Sequence, residues 1–437
     1  MYNFKYQIDS NNVHNSLKEH ILVDGFPFVL DLEKSKGSKI IDKKTGKEYL
    51  DFFTCFASMP IGYNHPKMNN EDFIKYIGQV ALNKPSNSDL YTEEYATFVN
   101  TFFNIAVPDH FKYAFFIDGG ALAVENALKI AFDWKVRKNF QKGYNYEKGH
   151  KVIYFNQAFH GRSGYTLSLT NTNPDKVLYF PKFDWIKVNN PKIDFDSNNI
   201  EELISRENES INQIKTAFDS FKDDIAAIII EPIQGEGGDN HFRNEFLSKL
   251  KELCIENDAL LIFDEVQTGV GLTGTWWAHQ QLDTNPDILA FGKKMQICGV
   301  LASDRIDDIK DNVFHKSSRI NSTWGGNTVD MVRMTKYLEI IEEENLVENA
   351  KNMGEYLLSK LKSLNHQNIV NIRGRGLFIA FDVTNNLKEN IINDLRKDGL
   401  ILLTCGNHSI RFRPPLNVSK NEIDSAFNII SNVITKY

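Results

Sequence analysis

The middle of the chain alternates two kinds of apolar pattern. Short unbroken runs, Phe111–Ile117 (FKYAFFI), Lys151–Phe155 (KVIYF), 224–231 (DIAAIIIE) and 259–266 (ALLIFDEV), carry too few polar positions for a strand with one wet face. Between them lie segments with apolar residues at helical spacing, ALAVENALKIAFDWKVRK after the first run and NEFLSKLKELCIEN before the last. Buried strands separated by helices predict a mostly parallel sheet covered on both faces, with its chemistry at the carboxyl ends of the strands. The ends of the chain read differently. KIIDKKTGKEYLDF predicts a hairpin turning at Thr45 and Gly46, and residues 330–437 mix helices with short strands in GLFIAFDV, LILLT and SIRFRPP. We expect the two ends to form one smaller lobe beside a central large domain.

Composition narrows this picture. The 437 residues exceed what one hydrophobic core holds, so two lobes are expected. A net charge of -7 without a Lys/Arg block argues against nucleic acid as a partner. The 31 phenylalanines suggest a large core or a buried subunit interface. Cys55, Cys254, Cys298 and Cys405 lack CxxC spacing, which fits a reducing compartment better than disulfides or a zinc site, so no metal is expected. The first residues lack a basic, then apolar, leader pattern, and no run reaches the roughly 18 apolar residues of a membrane span. The expectation is a cytoplasmic protein without a membrane partner.

Six segments carry candidate chemistry, each with a plainer reading beside it. Asp118-Gly119-Gly120-Ala121 lies between a strand and a helix, where glycine admits a close ligand and a helix start offers N–H groups to a phosphate. A simple turn is the commoner explanation. In Ala158-Phe159-His160-Gly161-Arg162, Phe159 can stack on a flat cofactor and Arg162 grip a carboxylate, or the two are core residue and surface ion pair. The run through Phe263-Asp264-Glu265-Val266-Gln267 ends a buried strand in two carboxylates, which need a cation or donors. A protonated pyridine nitrogen is one such cation; a helix cap or salt bridge serves as well. Gly292-Lys293-Lys294 ends an apolar stretch, where desolvation suits a lysine amine to Schiff-base chemistry, and physical grounds leave the choice of lysine open. Thr323, in Ser322-Thr323-Trp324-Gly325-Gly326-Asn327, offers a hydroxyl to a phosphate. Arg411 and Arg413 share one strand face, for a carboxylate substrate or a structural ion pair.

In this order and spacing the segments resemble the class III aminotransferases of the fold-type I pyridoxal 5'-phosphate (PLP) superfamily, from about residue 45 to the C-terminus. IFDEVQTG followed by PDILAFGK is the most specific part. The resemblance implies an α/β fold: a large PLP-binding domain, 66–329, around a mostly parallel seven-stranded sheet, and a smaller α/β domain from 1–65 and 330–437. It implies that Lys293 forms the Schiff base, that Asp264 pairs with the pyridine nitrogen, that Val266 and Phe159 pack on the ring faces, and that Gln267 bonds the ring hydroxyl. Gly120 and Ala121 would give backbone N–H groups to the phosphate, and Thr323 would complete that site from a second subunit, hence a homodimer. One departure stands out. The family usually has a Ser-Gly-Ser/Thr-Glu-Ala type segment where this chain has Gly119-Gly120-Ala121-Leu122-Ala123, so hydroxyl contacts to the phosphate are lost.

Gly-Gly-Ala-Leu-Ala-Val-Glu-Asn, Phe-Gly-Lys-Lys with Gln296 and Cys298-Gly299, the Asn321–Asn327 turn and Arg-Phe-Arg-Pro-Pro are similar to the lysine 6-aminotransferase branch. That branch implies transfer of the terminal amine of L-lysine to 2-oxoglutarate in two ping-pong halves. The first leaves 2-aminoadipate 6-semialdehyde, which cyclises to piperideine-6-carboxylate; the second yields L-glutamate. Lys293 would move the proton from the substrate's Cε, and Arg162 would hold the α-carboxylate of lysine. Glu236, in Gln234-Gly235-Glu236-Gly237-Gly238, would neutralise Arg411 until the second carboxylate of 2-oxoglutarate arrives, then swing away, a movement its flanking glycines permit. The competing readings are an ω-aminotransferase for ornithine, 4-aminobutyrate or a related diamine, an aminomutase or decarboxylase on the same scaffold, and a non-catalytic PLP-binding protein.

Overall fold

The computed structural model describes residues 4–437. Near the start, β1 (Lys39–Ile41) and β2 (Glu48–Asp51) pair antiparallel, with Ile40 opposite Tyr49, as the pattern predicts. Then come β3 (Phe111–Ile117), β4 (Lys151–Phe155), β5 (Ile186–Val188) and β6 (Ile225–Ile230). A short antiparallel pair, β7 (Ile233–Gln234) and β8 (Asn240–His241), precedes β9 (Leu260–Asp264), β10 (Ile288–Phe291) and β11 (Cys298–Ser303). Seven of these strands form one sheet in the order β3-β11-β10-β9-β6-β4-β5. Only β11 runs against its neighbours, so the other strands of that sheet share one direction.

Both faces of the sheet are covered, as unbroken apolar strands require. Along β9, Leu260 and Ile262 pack with Ala123, Ala127 and Ile130 of the helix Gly120–Gln141. Leu261 and Phe263 point the other way, toward Phe246, Leu247 and Leu250 of the helix Asn244–Glu256. With apolar residues on both faces, a one-residue slip exchanges like for like, so hydrophobicity alone sets the register weakly. A buried polar clamp adds what it lacks. Asp287, just before β10 and 1% exposed, accepts the backbone N–H of Leu261 at 2.8 Å. It also pairs with Lys251 at 2.5 Å and Arg305 at 2.9 Å.

The C-terminal part adds β12 (Ile369–Arg375), β13 (Phe378–Val383), β14 (Leu400–Ile401), β15 (Leu403–Cys405) and β16 (Ser409–Phe412). Four of them form an antiparallel sheet, β12-β13-β16-β15, while β14 joins β2 in parallel with Leu400 beside Leu50. Strands from the two ends of the chain therefore share a sheet. Among the described residues, no helix is long and apolar enough to cross a membrane.

Asp287→Ala leaves Lys251, Arg305 and the Leu261 N–H without their acceptor. We expect urea unfolding to register a loss of about 3–5 kcal/mol, the scale for breaking a buried ion pair from one side. An unchanged midpoint would show that packing alone holds β9 against β10.

Candidate active site

Because its strands run together, the sheet gathers the carboxyl ends of β3, β4, β6, β9 and β10 along one edge, where a cavity of about 610 Å3 opens. Gly120 and Ala121 come from the turn after β3, Phe159 and Arg162 from the loop after β4, Asp264, Val266 and Gln267 from the end of β9, and Lys293 from the turn after β10. A larger cavity of about 810 Å3 lies among the helices Glu71–Ala81, Glu93–Ile105 and Thr328–Glu343 and contains none of these residues. Of the sequence-predicted residues, Glu236 and Arg411 stand beside the chemical cavity, through Gln267, and Thr323 stands apart from it.

The anion end is built from backbone. Gly119 takes φ +104°, a conformation that favours glycine, and starts the helix Gly120–Gln141 without a capping side chain. A Cβ on Gly120 would lie 3.0 Å from Val266 Cγ1, so glycine lets this helix start sit against Val266. The uncapped N–H groups and the positive end of the helix dipole suit a phosphate.

The two carboxylates ending β9 have separate duties. Asp264 lines the cavity, with Oδ2 2.8 Å from His160 Nδ1 and Oδ1 accepting the Val266 N–H at 3.1 Å. Glu265 points into the protein and accepts from Thr268, from the backbone of Ala278 and His279, and from the His279 ring. It pins the loop that follows β9.

The adjacent lysines divide as well. Lys294 is 1% exposed and donates to the Ala57 carbonyl at 2.9 Å, while Lys293 lines the cavity. Burial first, and then the Arg411 charge, bring the Lys293 amine down to about 8 against opposing pulls from Asp264, Glu231 and Glu236. An amine that titrates near 8 is roughly one-tenth neutral at pH 7, against well under one-thousandth for a solvated lysine. That fraction makes it a nucleophile toward a carbonyl.

Two guanidiniums bracket the site unequally. Arg162 lines the cavity, is exposed, and makes no ion pair or hydrogen bond among the described residues. Arg411, 3% exposed, is held by Glu236 at 2.8 Å. Arg413 pairs with Asp239 at 2.6 Å and donates to Gln267 Oε1 at 3.0 Å, so that oxygen is taken while the Gln267 amide N–H groups remain available. Arg411 also donates to Gln267 Oε1, at 3.4 Å. Both arginines of the shared strand face thus stand in ion pairs, Arg411 with Glu236 and Arg413 with Asp239.

The swing of Glu236 expected from its glycine neighbours is not one the backbone makes. The glycines around Glu236 fill tight places rather than free the backbone. A Cβ on Gly235 would lie 2.6 Å from the Gln267 side chain, and one on Gly237 would collide with the Gln157 carbonyl. The Glu236 carbonyl also accepts the Gly406 N–H at 2.9 Å. Any movement of Glu236 is therefore movement of its side chain.

Sequence reasoning assigned no role to several residues. Glu231 lines the cavity, accepts backbone N–H groups from Phe159 and Gly235, and is pushed by burial up to about 7. His160 sat in a quoted motif without a role; its contact to Asp264 spans the loop after β4 and the end of β9 and has no local signature. Ser58 and Met59 reach the cavity from a turn, Thr54–Ala57, whose residues all have φ between 43° and 67°. Lys294 and Gln296 (2.7 Å to the Ser58 carbonyl) hold that turn.

Fold and cavity together define an α/β enzyme that attaches a phosphorylated carbonyl cofactor through a lysine. The chain belongs to the class III aminotransferases, whose family model matches residues 23–434. It is 49% identical over 431 residues to an L-lysine-epsilon aminotransferase of Mycobacterium tuberculosis, covering 97% of this chain and 95% of that protein. A second relative of that description, from Streptomyces clavuligerus, is 44% identical over 98% of this chain and 95% of its own length. The solved structure of a lysine aminotransferase from M. tuberculosis superposes with a TM-score of 0.96 at 48% identity, covering 98% of this chain and all of that one. PLP is the cofactor of the family, and this cavity fits it. An uncapped helix start meets the phosphate's needs, Phe159 and Val266 offer apolar contact to the ring, and Asp264 is braced beside a lysine of lowered pKa.

Borohydride reduction of the PLP-loaded protein should place the cofactor label on Lys293; a label on Lys294 by peptide mass spectrometry would reverse the assignment. The rate at which the apo chain takes up PLP should climb with pH through about 8, because the neutral amine attacks and burial lowers its pKa. A rate still rising steeply toward 10.5 would mean that the amine is solvated.

Proposed function

We propose that the protein transfers the terminal amine of L-lysine to 2-oxoglutarate, giving 2-aminoadipate 6-semialdehyde and then L-glutamate. The semialdehyde closes on its own α-amine to piperideine-6-carboxylate. The observation that carries this reading is the inequality of the guanidiniums, Arg162 unpaired at the cavity and Arg411 masked by Glu236. A donor with one carboxylate, remote from its reacting amine, engages Arg162 and asks nothing of Arg411. Lysine has that shape, and the 44–49% identity to L-lysine-epsilon aminotransferases supports it over ornithine or 4-aminobutyrate.

PLP, when bound, supplies an aldehyde that takes up the substrate amine and a ring that accepts the electrons left by proton loss. The residues of the chain do the rest. Lys293 takes the proton from Cε, its pKa brought near the working pH by burial. Asp264, held by His160, keeps a proton on the ring nitrogen. Phe159 and Val266 would hold the ring faces, Gln267 would donate to the ring hydroxyl, and the Gly120 and Ala121 N–H groups would hold the phosphate. In the second half, Glu236 yields Arg411 to the second carboxylate of 2-oxoglutarate.

Thr323 stands away from its own cavity, its carbonyl bonded by Ser86 and Ser88. We assign its hydroxyl to the phosphate site of a second copy, making the working unit a homodimer. Exposed Leu82, Tyr91 and Trp324 support a partner surface. The pairing of β14 with β2 supports a division into a large domain, 66–329, and a small one from 1–65 and 330–437. Cysteines that are all free support a cytoplasmic location.

L-Lysine alone should bleach the yellow protein and release a semialdehyde with its carbonyl at Cε; bleaching by ornithine or 4-aminobutyrate with lysine inert would keep the family and overturn the donor. Arg162→Ala should raise KM for lysine about 10- to 100-fold, the scale for losing a hydrogen bond to a charged group, with a smaller change in kcat. A KM within twofold of the parent would remove Arg162 from substrate binding.

A further inference from the structure

Glu236 has two cationic partners rather than one. Its Oε2 accepts from Arg411 at 2.8 Å, and its Oε1 accepts from Lys176 at 2.6 Å. Lys176 ends the turn Pro174–Lys176, between β4 and β5, and its Nζ also lies 5.2 Å from the centre of the Phe159 ring. The pair therefore sits beside a wall of the cofactor cavity. Arg411 is 3% exposed at its side chain, whereas Lys176 and Glu236 are 24% and 25% exposed, so the arginine is fixed and the other two have room to adjust.

Charge counting gives this arrangement a consequence. Beneath Glu236 lies the buried Arg413–Asp239 pair, which is neutral by itself. Above it, Glu236 is one negative charge between two positive ones. The cluster of Lys176, Arg411, Arg413, Glu236 and Asp239 thus carries one uncompensated positive charge. Lysine brings no second carboxylate to neutralise it. A 2-oxo dicarboxylic acid does.

We infer that Lys176 is a specificity-determining residue for the amino acceptor: it supplies the surplus charge that a second carboxylate completes, and it keeps Glu236 paired once Arg411 has been ceded. This rests on the reading that Glu236 masks Arg411. The backbone at Gly235 and Gly237 is tightly packed, so Glu236 leaves Arg411 by side-chain rotation while remaining in reach of Lys176. Without Lys176, a carboxylate only 25% exposed would be left on opening without either of these cations, and such groups are costly. The closed state would then be electrically complete and would resist the acceptor.

The test measures the two half-reactions separately on the holoenzyme carrying Lys176→Gln, Lys176→Arg or Glu236→Gln. L-Lysine is used for the first half, and 2-oxoglutarate or the monocarboxylic 2-oxo acid pyruvate for the second. With Lys176→Gln, the apparent affinity for 2-oxoglutarate should fall about tenfold or more, the scale of a partly desolvated charge contact, while lysine and pyruvate stay within about threefold. Lys176→Arg, which keeps the charge, should restore 2-oxoglutarate. Equal weakening of lysine and 2-oxoglutarate would mark Lys176 as merely structural and overturn the proposal. So would unchanged 2-oxoglutarate affinity in Lys176→Gln when Glu236→Gln still shifts the balance between the halves. If Glu236→Gln also leaves that balance unmoved, the masking of Arg411 fails and this inference fails with it.

Discussion

A charge taken out of water must find a partner or be given up, and this site is organised by that constraint. The groups around the cavity answer it differently. Lys293 has no close partner, and burial brings its amine down to about 8. Glu231, which accepts two backbone N–H groups, is driven by burial up to about 7. Asp264 has His160, Glu236 has two cations, and Arg413 has Asp239. Arg162, exposed at the cavity, makes no ion pair or hydrogen bond among the described residues. An amine of lowered pKa, one paired and one unpaired guanidinium and a braced carboxyl all follow from how each charge is compensated.

The fold makes those compensations possible by bringing distant segments to one edge. Parallel strands deliver their carboxyl ends together, and each loop contributes one or two side chains. The second sheet adds what the first cannot. β16 carries Arg411 beside Gln267 and Glu236, and the following Arg413 reaches Gln267 and Asp239. Gln267 is therefore a joint between the two parts of the chain. Its oxygen is spent on arginines, which fixes the direction in which its amide can donate.

Much of this was legible in the sequence because the relevant signals are local. Unbroken apolar runs named the buried strands, and the runs that end in Asp264 and Lys293 placed those residues at strand ends. Local physics left Lys293 and Lys294 open and only the family resemblance chose Lys293, because the physical difference depends on a carbonyl at Ala57, far away in the chain. Likewise, Lys176 lies in a segment of ordinary loop composition, and only the chain's return after β6 brings Glu236 to it. His160 and Glu231 escaped notice for a similar reason: His160 meets Asp264 and Glu231 accepts the Phe159 N–H, each across separate strands. The glycines at 235 and 237 misled in a different way. Sequence shows that glycine is there, but not whether it gives freedom or makes room, and here it makes room.

That last distinction bears on how a single site can serve two substrates. On one side, the loop carrying Glu236 is fixed by close backbone packing. On the other, the left-handed turn Thr54–Ala57 holds four non-glycine residues in a region that costs about 1 kcal/mol or more apiece, so its surroundings must over-determine it. Thr54 donates to the Arg413 carbonyl, buried Asp51 accepts the Phe53 and Thr54 N–H groups, and Lys294 and Gln296 hold the far end. Lys294 does so as a buried amine whose pKa burial lowers well below 10.5. With both walls held in this way, adaptation between a donor with one carboxylate and an acceptor with two falls to side chains. Glu236 and Lys176 are the charged pair at this site with both the exposure and the mutual contact to perform it.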